Sequence, residues 1–192
     1  MTAEPKPRPL SLVALDPEPD WRAESVLRHW DPEAQLVGAL MHLPAATAVP
    51  ILELVPDTAI WRPDHRWAVE LIRHIVETGA DPDPVVVLNT ARHRPPADAA
   101  PANQTVSAQR HHGFAVHLAE LYTRTVTPSA APQYAREVLD DAYRRAVGFH
   151  GIRMTQLAET GAPRDELTDY LTAMRTELAD LWRRADAATG SR

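Results

Sequence analysis

The sequence predicts an all-α protein, in which a small globular helical bundle is followed by a long antiparallel helical hairpin. Apolar residues recur at steps of three and four along most of the chain, which is the spacing of one helix face. Proline or a capping residue opens most of these segments, and glycine ends several. The segment Val85-Val86-Val87 is also compatible with a strand, but it has no partner strand nearby, so a helix is favoured there.

Residues 21–127 are predicted to form the globular subdomain, after a flexible Pro-rich tail at residues 1–20. A short helix is expected at 21–30, and Asp31-Pro32-Glu33 is a strong signal for the start of the next one. A further short helix is expected at 45–55, although it contains Pro50. Pro63 opens a helix that ends near Gly79, and its predicted buried stripe is Trp67, Leu71, Ile72, Ile75 and Val76.

Residues 95–112 contain Pro95, Pro96 and Pro101 among small polar residues, which predicts a mobile loop inside the globular subdomain. Gly113 ends this loop in our interpretation. A short helix from Phe114 to Tyr122 is expected to complete the subdomain.

Residues 128–184 have the most regular pattern, and they predict the hairpin. Two sets of apolar residues step by four and three, which is heptad spacing. Thr160-Gly161-Ala162-Pro163 joins them, and residues 185–192 are expected to be a flexible tail. Gly148 and Gly151 lie inside the first helix, where each lowers the helix propensity. Close helix approach or a bend would compensate for that cost. The predicted hairpin seam is Ala135, Leu139, Ala142, Ala146, Phe149, Leu167, Leu171, Met174, Leu178 and Leu181.

Several large side chains of the hairpin lie off this seam and need cover from elsewhere. They are Tyr143, Ile152, Met154, Tyr170 and Trp182. One interpretation is that the seams pack only against each other. The favoured interpretation is that the remaining apolar faces also bind a second copy, which predicts a homodimer or a higher homo-oligomer.

Composition bounds the class of protein. The net charge is −6, and no long run of Lys and Arg is present, so strong sequence-independent binding to nucleic acid is not expected. The absence of Cys excludes disulfides and thiolate metal sites. No apolar run approaches the roughly 20 residues of a membrane span. We expect a cytoplasmic protein that does not contact a membrane.

The sequence contains no constellation typical of an enzyme. His65 and His74 are nine residues apart, so they do not form an adjacent pair on a helix face. Acid pairs such as Asp140-Asp141 point apart on a helix, and no Gly-x-Ser-x-Gly elbow occurs. No catalytic residue, cofactor or metal ligand is therefore predicted.

A basic helix face is the strongest candidate for a polar contact. It consists of Arg62, Arg66 and Arg73, and Arg62 and Arg66 are one helical turn apart. This face would suit an acidic partner or the DNA backbone, with DNA contact expected to be weak. Ordinary surface charge is the favoured interpretation.

Three segments together resemble the N-terminal domain of DnaB-type replicative helicases. The first is Glu33-Ala34-Gln35-Leu36-Val37-Gly38-Ala39-Leu40-Met41, which is similar to the opening helix of that family's domain. The second is Trp61-Arg62-Pro63-Asp64-His65-Arg66, and the third runs from Phe114 through Val126-Thr127-Pro128-Ser129-Ala130-Ala131 to Tyr134-Ala135. Their order and the following hairpin make the resemblance cover roughly residues 31–184.

The resemblance implies an interaction module, which pairs through its hairpin and contacts a helicase or a primase. It does not imply helicase activity, because no Gly-x-x-x-x-Gly-Lys-Ser/Thr phosphate loop occurs in the sequence. The loop at 95–112 is longer than the family's usual link, and Trp61 replaces the commoner Phe or Tyr. We expect either a stand-alone relative of the helicase or a fragment without its motor. A DNA-binding regulatory protein is the alternative function.

Overall fold

The computed structural model describes residues 30–99 and 106–189. Those residues form seven α-helices and two short 3₁₀ turns, at Asp57–Ala59 and Pro128–Ala130, and they contain no β-strand. The predicted all-α class is thus confirmed, and none of the helices described is long and apolar enough to span a membrane. The helices are α1 (Pro32–Leu40), α2 (Ala45–Leu54), α3 (Pro63–Glu77), α4 (Pro84–Ala91), α5 (Ala108–Arg124), α6 (Ala131–Glu159) and α7 (Arg164–Thr189).

Local sequence signals set most helix ends. The Asp31 side chain accepts the N–H of Glu33 at 3.1 Å, and the Asp83 side chain caps α4 in the same way at 2.8 Å. A capping side chain satisfies one of the N–H groups that a helix start leaves without a partner. Gly79 follows α3 with φ +79°, and Gly161 lies between α6 and α7 with φ +68°. Both are left-handed conformations that favour glycine.

Two predicted boundaries are wrong. Residues 108–112 are helical rather than part of a loop at 95–112, because the Ser107 side chain caps α5 by accepting the N–H of Arg110 at 3.2 Å. Gly113 consequently lies inside α5. The predicted tail at 185–192 is helical as far as Thr189, since Ala185 and Ala188 are buried at 5% and 4% exposure. The predicted tail at 1–20 and the predicted helix at 21–30, except its last residue, lie outside the described residues.

Helix α1 lies at the centre of the globular subdomain and packs on α3, α5 and α6. Its residues Leu36 and Val37 have no exposed surface. Opposite them, Trp67 of α3 stacks on Phe114 of α5 with ring centroids 4.0 Å apart, and its Nε1 donates to the Arg94 carbonyl at 2.9 Å. The predicted stripe on α3 is confirmed, because Trp67, Leu71, Ile72, Ile75 and Val76 are all buried.

Gly38 allows α1 to approach the end of α5 closely. A Cβ at this position would collide with Oγ1 of Thr125 and with the backbone of Leu121. Gln35, one turn earlier, fastens the same junction by donating to the Arg124 carbonyl at 3.2 Å and accepting the N–H of Val126 at 3.0 Å. Any larger residue at 38 would therefore push apart two elements that also share hydrogen bonds.

A buried carboxylate joins α1 to the start of α3. The oxygens of Glu33 accept the N–H groups of Trp61 at 2.6 Å and Arg62 at 3.1 Å, and Nδ1 of His65 at 3.2 Å. Burial by itself would raise the pKa of Glu33, but the hydrogen bonds from His65, Trp61 and Arg62 outweigh it and lower that pKa. The carboxyl group is thus held in its ionised form inside the fold.

Helices α6 and α7 form the predicted hairpin. Tyr143 meets Trp182 with ring centroids 6.0 Å apart, and His150 meets Tyr170 at 5.5 Å. Later positions on α6 thus meet earlier positions on α7, as an antiparallel pair requires. We call residues 131–146 and 178–189 the hairpin base, and residues 147–177 the hairpin tip.

The hairpin base is fastened to the globular subdomain by two arginines. Arg184 donates to the carbonyls of Glu53 at 3.0 Å and Leu54 at 3.3 Å, at the C-terminal end of α2. Arg145 donates to the carbonyl of Ala59 at 2.6 Å. Carbonyls at a helix C-terminus lack partners within the helix and carry a partial negative charge, so a guanidinium stabilises them.

Candidate interaction surface

The predicted seam holds in the hairpin base and changes in the hairpin tip. Ala135, Leu139, Ala142 and Leu181 are buried, and Ala146 is half-buried. Leu178, at the end of the base, is half-buried. In the tip, Leu167 and Met174 are half-buried, but Leu171 is 39% exposed and Phe149 is 67% exposed. The placement of Phe149 in the packed seam is wrong, because the next residue, His150, occupies that position at 6% exposure.

A polar group replaces the expected apolar side chain in the seam. His150 Nδ1 shares a hydrogen bond with the Tyr170 hydroxyl at 2.7 Å, and its Nε2 lies 3.2 Å from a carboxylate oxygen of Glu177. Two side chains of α7 thus satisfy both ring nitrogens of a buried histidine of α6. Tyr170 needs no further cover, contrary to the expectation from its off-seam position.

The hairpin tip leaves large apolar side chains in solvent. Of residues 147–177, only His150 and Leu157 are buried. Ile152 is 64% exposed, and Trp182, just beyond the tip, is 59% exposed. Tyr143 and Met154 are half-buried. Such a density of exposed apolar groups on one element is typical of a surface that binds another protein.

These side chains lie on two faces of the hairpin. Arg145, Phe149 and Ile152 follow one another at helical spacing, and we call them the groove face. Tyr143, Val147 and Trp182 lie on the opposite side, which we call the outer face, and the Tyr143–Trp182 ring contact marks it. Each face continues from the base to the tip. The sequence pattern identified some of these residues but did not show that they lie on two opposite faces of the hairpin.

The groove face borders a cavity of about 320 Å³ between the globular subdomain and the hairpin. We call this cavity the junction groove. Trp61, at 67% exposure, and Phe149 form its aromatic walls, and the Arg145 guanidinium lies 5.6 Å from the Trp61 ring centroid. The remaining lining residues are Pro56, Thr58, Ala59, Ala142, Ala146, Glu177, Asp180 and Leu181.

Charges in the junction groove are mostly matched within the chain. Asp180 lies 2.6 Å from Nε of Arg184, and that hydrogen bond lowers the pKa of Asp180. Arg145 is engaged by the Ala59 carbonyl and the Trp61 ring. Glu177 is more than half exposed and contacts His150. The groove therefore presents aromatic surface with a carboxylate at its rim, and sequence reasoning missed it because its walls are far apart in the chain.

The three arginines of the predicted basic face do not act together. Arg73 donates to the carbonyls of Leu52 and Val55, both at 2.9 Å. Arg66 donates to the Ile60 carbonyl at 3.0 and 3.1 Å. Arg62 is half-exposed and forms an ion pair with Asp31 at 3.0 Å. Two of the three guanidinium groups thus hold backbone carbonyls of the subdomain rather than forming a basic surface.

Two histidines of the subdomain also have local structural partners. His65 is buried against Glu33, and His42 stacks on Tyr122 with ring centroids 3.8 Å apart. Among the residues that the structure describes, no group of three or more His, Cys, Asp and Glu side chains is arranged to hold a metal ion. The features that point to function are therefore the exposed apolar faces and the junction groove.

The chain matches no protein-family model and no curated protein sequence. It is similar to a solved structure described as the N-terminal domain of DnaB helicase from Mycobacterium tuberculosis. The TM-score is 0.61 at 23% sequence identity, and the match covers 77% of this chain and 96% of that one. The chain therefore has the fold of a DnaB helicase N-terminal domain.

Proposed function

We propose that this chain is a non-catalytic interaction module that associates with itself through the hairpin and serves DNA replication. The observation that carries the proposal is the set of exposed apolar side chains on the hairpin tip. Burial of apolar surface stabilises an interface by roughly 25 cal/mol per Å². A second copy that covered Ile152 and its neighbours would gain this free energy without disturbing the packed globular subdomain.

The size of the tip favours an interface that also includes the junction groove. One face of a two-helix tip is roughly 20 Å long and 20 Å wide, or about 400 Å². A stable complex buries about 800 Å² per partner. The groove face meets this requirement better than the outer face, because it continues into the aromatic walls formed by Trp61 and Phe149. An isologous dimer would bury the same residues on both copies.

The link to DNA replication rests on the shared fold. A DnaB helicase N-terminal domain has this arrangement of helices in the solved structure, and a helicase or a primase is therefore the partner we propose. Such a partner implies a cytoplasmic location. The same surface would then serve both self-association and contact with the partner, unless the two faces of the hairpin divide these roles.

A DNA-binding regulator is the second candidate. Its support is Arg62, whose side chain is 47% exposed. Because Arg66 and Arg73 are engaged by carbonyls, and the chain carries a net charge of −6, this candidate ranks below the interaction module. Fluorescence anisotropy with single- and double-stranded DNA at low salt would reveal it by binding that Arg62→Ala abolishes.

Sedimentation equilibrium tests self-association directly. Ile152→Asp places a charge on the groove face and is expected to weaken the dimer at least tenfold, because a buried unpaired charge is costly. Val85→Asp is the matched control, since Val85 is 75% exposed but lies on α4, away from the hairpin. Trp182→Asp tests the outer face in the same way. A wild-type chain that stays monomeric at high concentration would contradict the proposal.

Co-purification tests the partner. The full chain is expected to retain the replicative helicase or the primase of its own host, and Phe149→Ala is expected to weaken that contact. Val85→Ala again serves as the control. If the chain forms a stable dimer but retains neither the helicase nor the primase, the proposed role in DNA replication is contradicted and the proposed self-association is supported.

A further inference from the structure

A second cavity lies on the globular subdomain and shares no lining residue with the junction groove. It has a volume of about 280 Å³ and lies between α1, α3 and α5. That volume is about nine times the roughly 30 Å³ that one water molecule occupies in the liquid, so a small ligand fits. Its lining residues are Ala34, Gln35, Arg62, His65, His117, Glu120, Leu121 and Arg124.

The cavity wall contains a buried polar atom without a partner. Nε2 of His117 makes no hydrogen bond to any described residue, although it is buried. The ring itself is held firmly, because it stacks on His65 with centroids 5.0 Å apart and planes inclined by 13°. Buried polar atoms in folded proteins are nearly always hydrogen-bonded, so His117 borders the cavity with one hydrogen bond unmet.

Two guanidinium groups face the same cavity. Within the described part of the chain, the Arg124 side chain has a long contact of 4.0 Å with Glu120, and both side chains are 52% exposed. Arg62 is paired with Asp31 at 3.0 Å but keeps a 47% exposed side chain. Guanidinium groups present several N–H donors in a plane, an arrangement that suits the oxygens of a phosphate group.

We propose that this cavity binds a phosphate group, with Arg62 and Arg124 holding its oxygens beside the ring of His117. Gln35 and His65 shape the wall but already have partners in the fold. Glu120 is the one acidic residue of the lining, and it opposes an anion. The Asp31 and Glu33 carboxylates lie close behind Arg62 and His65, so the affinity is expected to be modest.

His117 supplies a signal that is specific to this site. Burial lowers the pKa of His117, and the neighbouring His65 lowers it further. An anion bound beside the ring favours the protonated form, so it would raise that pKa again. The nearby acids Asp64 and Glu120 act in the same direction as an anion, but they are present in both states.

The test is an NMR titration of the full chain with inorganic phosphate, at constant ionic strength maintained with sodium chloride. We expect saturable shifts of the His117 ring and of Leu121, together with an increase in the pKa of His117. A parallel titration with ribose 5-phosphate distinguishes a phosphate monoester from free phosphate, because the ligand that binds more tightly shows which of the two the cavity prefers. Shifts that do not saturate, or that are equal with sodium chloride alone, would overturn the proposal.

Three variants sharpen the result. Arg124→Ala is expected to weaken phosphate binding about tenfold, as loss of a charged hydrogen bond does. It leaves the fold intact, because Gln35 contacts only the backbone carbonyl of residue 124. Glu120→Gln is expected to strengthen binding about threefold by removing the opposing charge. Arg153→Ala, on the exposed side of the hairpin tip, should change nothing. Equal affinity in all three variants would contradict the assigned site.

Discussion

The globular subdomain and the hairpin tip bury their side chains to opposite degrees. In the subdomain, Leu36, Trp67 and Ile72 are at most 1% exposed. In the tip, residues 147–177, only His150 and Leu157 are buried. A helix that is packed on one side only cannot cover all of its apolar surface. The core of the subdomain is thus closed to solvent, whereas the tip has apolar surface left for another molecule.

Trp67, in the core of the subdomain, and Trp182, just beyond the hairpin tip, test this contrast most strongly. Trp67→Ala is expected to cost about 4 kcal/mol in the free energy of unfolding, because it empties a buried site between α3 and α5. Trp182→Ala, at a site that is 59% exposed, is expected to cost about 1 kcal/mol or less. Urea denaturation monitored by circular dichroism measures both. Similar costs for the two variants would break the contrast.

Two glycines provide the next comparison. Gly38→Ala is expected to cost about 3 kcal/mol, because the new Cβ meets Thr125 and the Leu121 backbone. Gly148→Ala meets no atom within 4 Å and is expected to stabilise the chain by about 1 kcal/mol through helix propensity. Thermal unfolding should therefore shift in opposite directions. A loss of stability in Gly148→Ala would show that the tip is packed more closely than its exposure indicates.

Glu33 gives the smallest of the three effects and the only one that depends on pH. Glu33→Gln is expected to cost about 2 kcal/mol at neutral pH, since charged hydrogen bonds to buried donors are weakened. The folded-state pKa of Glu33 is lowered, so its contribution is complete above its ordinary value of 4.5 and is lost as the pH falls through the lowered value. Urea denaturation across that range should show the wild type converging on Glu33→Gln in acid. A constant difference would contradict the ionised state.

Local signals explain how much of the fold could be predicted from the sequence. Asp31, Asp83, Gly79 and Gly161 act within a few residues of themselves, so their positions in the sequence determine helix ends directly. The heptad spacing correctly predicted the base of the hairpin. It failed at Phe149, because a helical repeat does not indicate which of two adjacent residues faces the partner helix. His150 takes that position because Tyr170 and Glu177 of α7 form hydrogen bonds with its ring.

The site depended on contacts between distant parts of the chain, and these could not be predicted. His65 and His117 are 52 positions apart yet stack at 5.0 Å. Arg66 and Arg73 carried the signature of a basic face, but both are engaged by backbone carbonyls whose positions only the tertiary fold determines. Gly148 and Gly151 were expected to reflect a close helix approach or a bend, and the space beside them is open.

The two arginines at the hairpin base have a mechanical consequence. The tip extends about 20 Å beyond the base at 1.5 Å per helical residue, and it is held at one end only. A force applied near Gly161 therefore acts on the base with a lever arm of that length. The torque is resisted by the apolar packing of the base, by the contacts of Arg184 with Glu53 and Leu54 and by that of Arg145 with Ala59. The hairpin behaves as a cantilever, and its load falls on the base, on buried side chains such as Leu139 and Leu181 and on these guanidinium–carbonyl bonds, far from the point where a partner would pull.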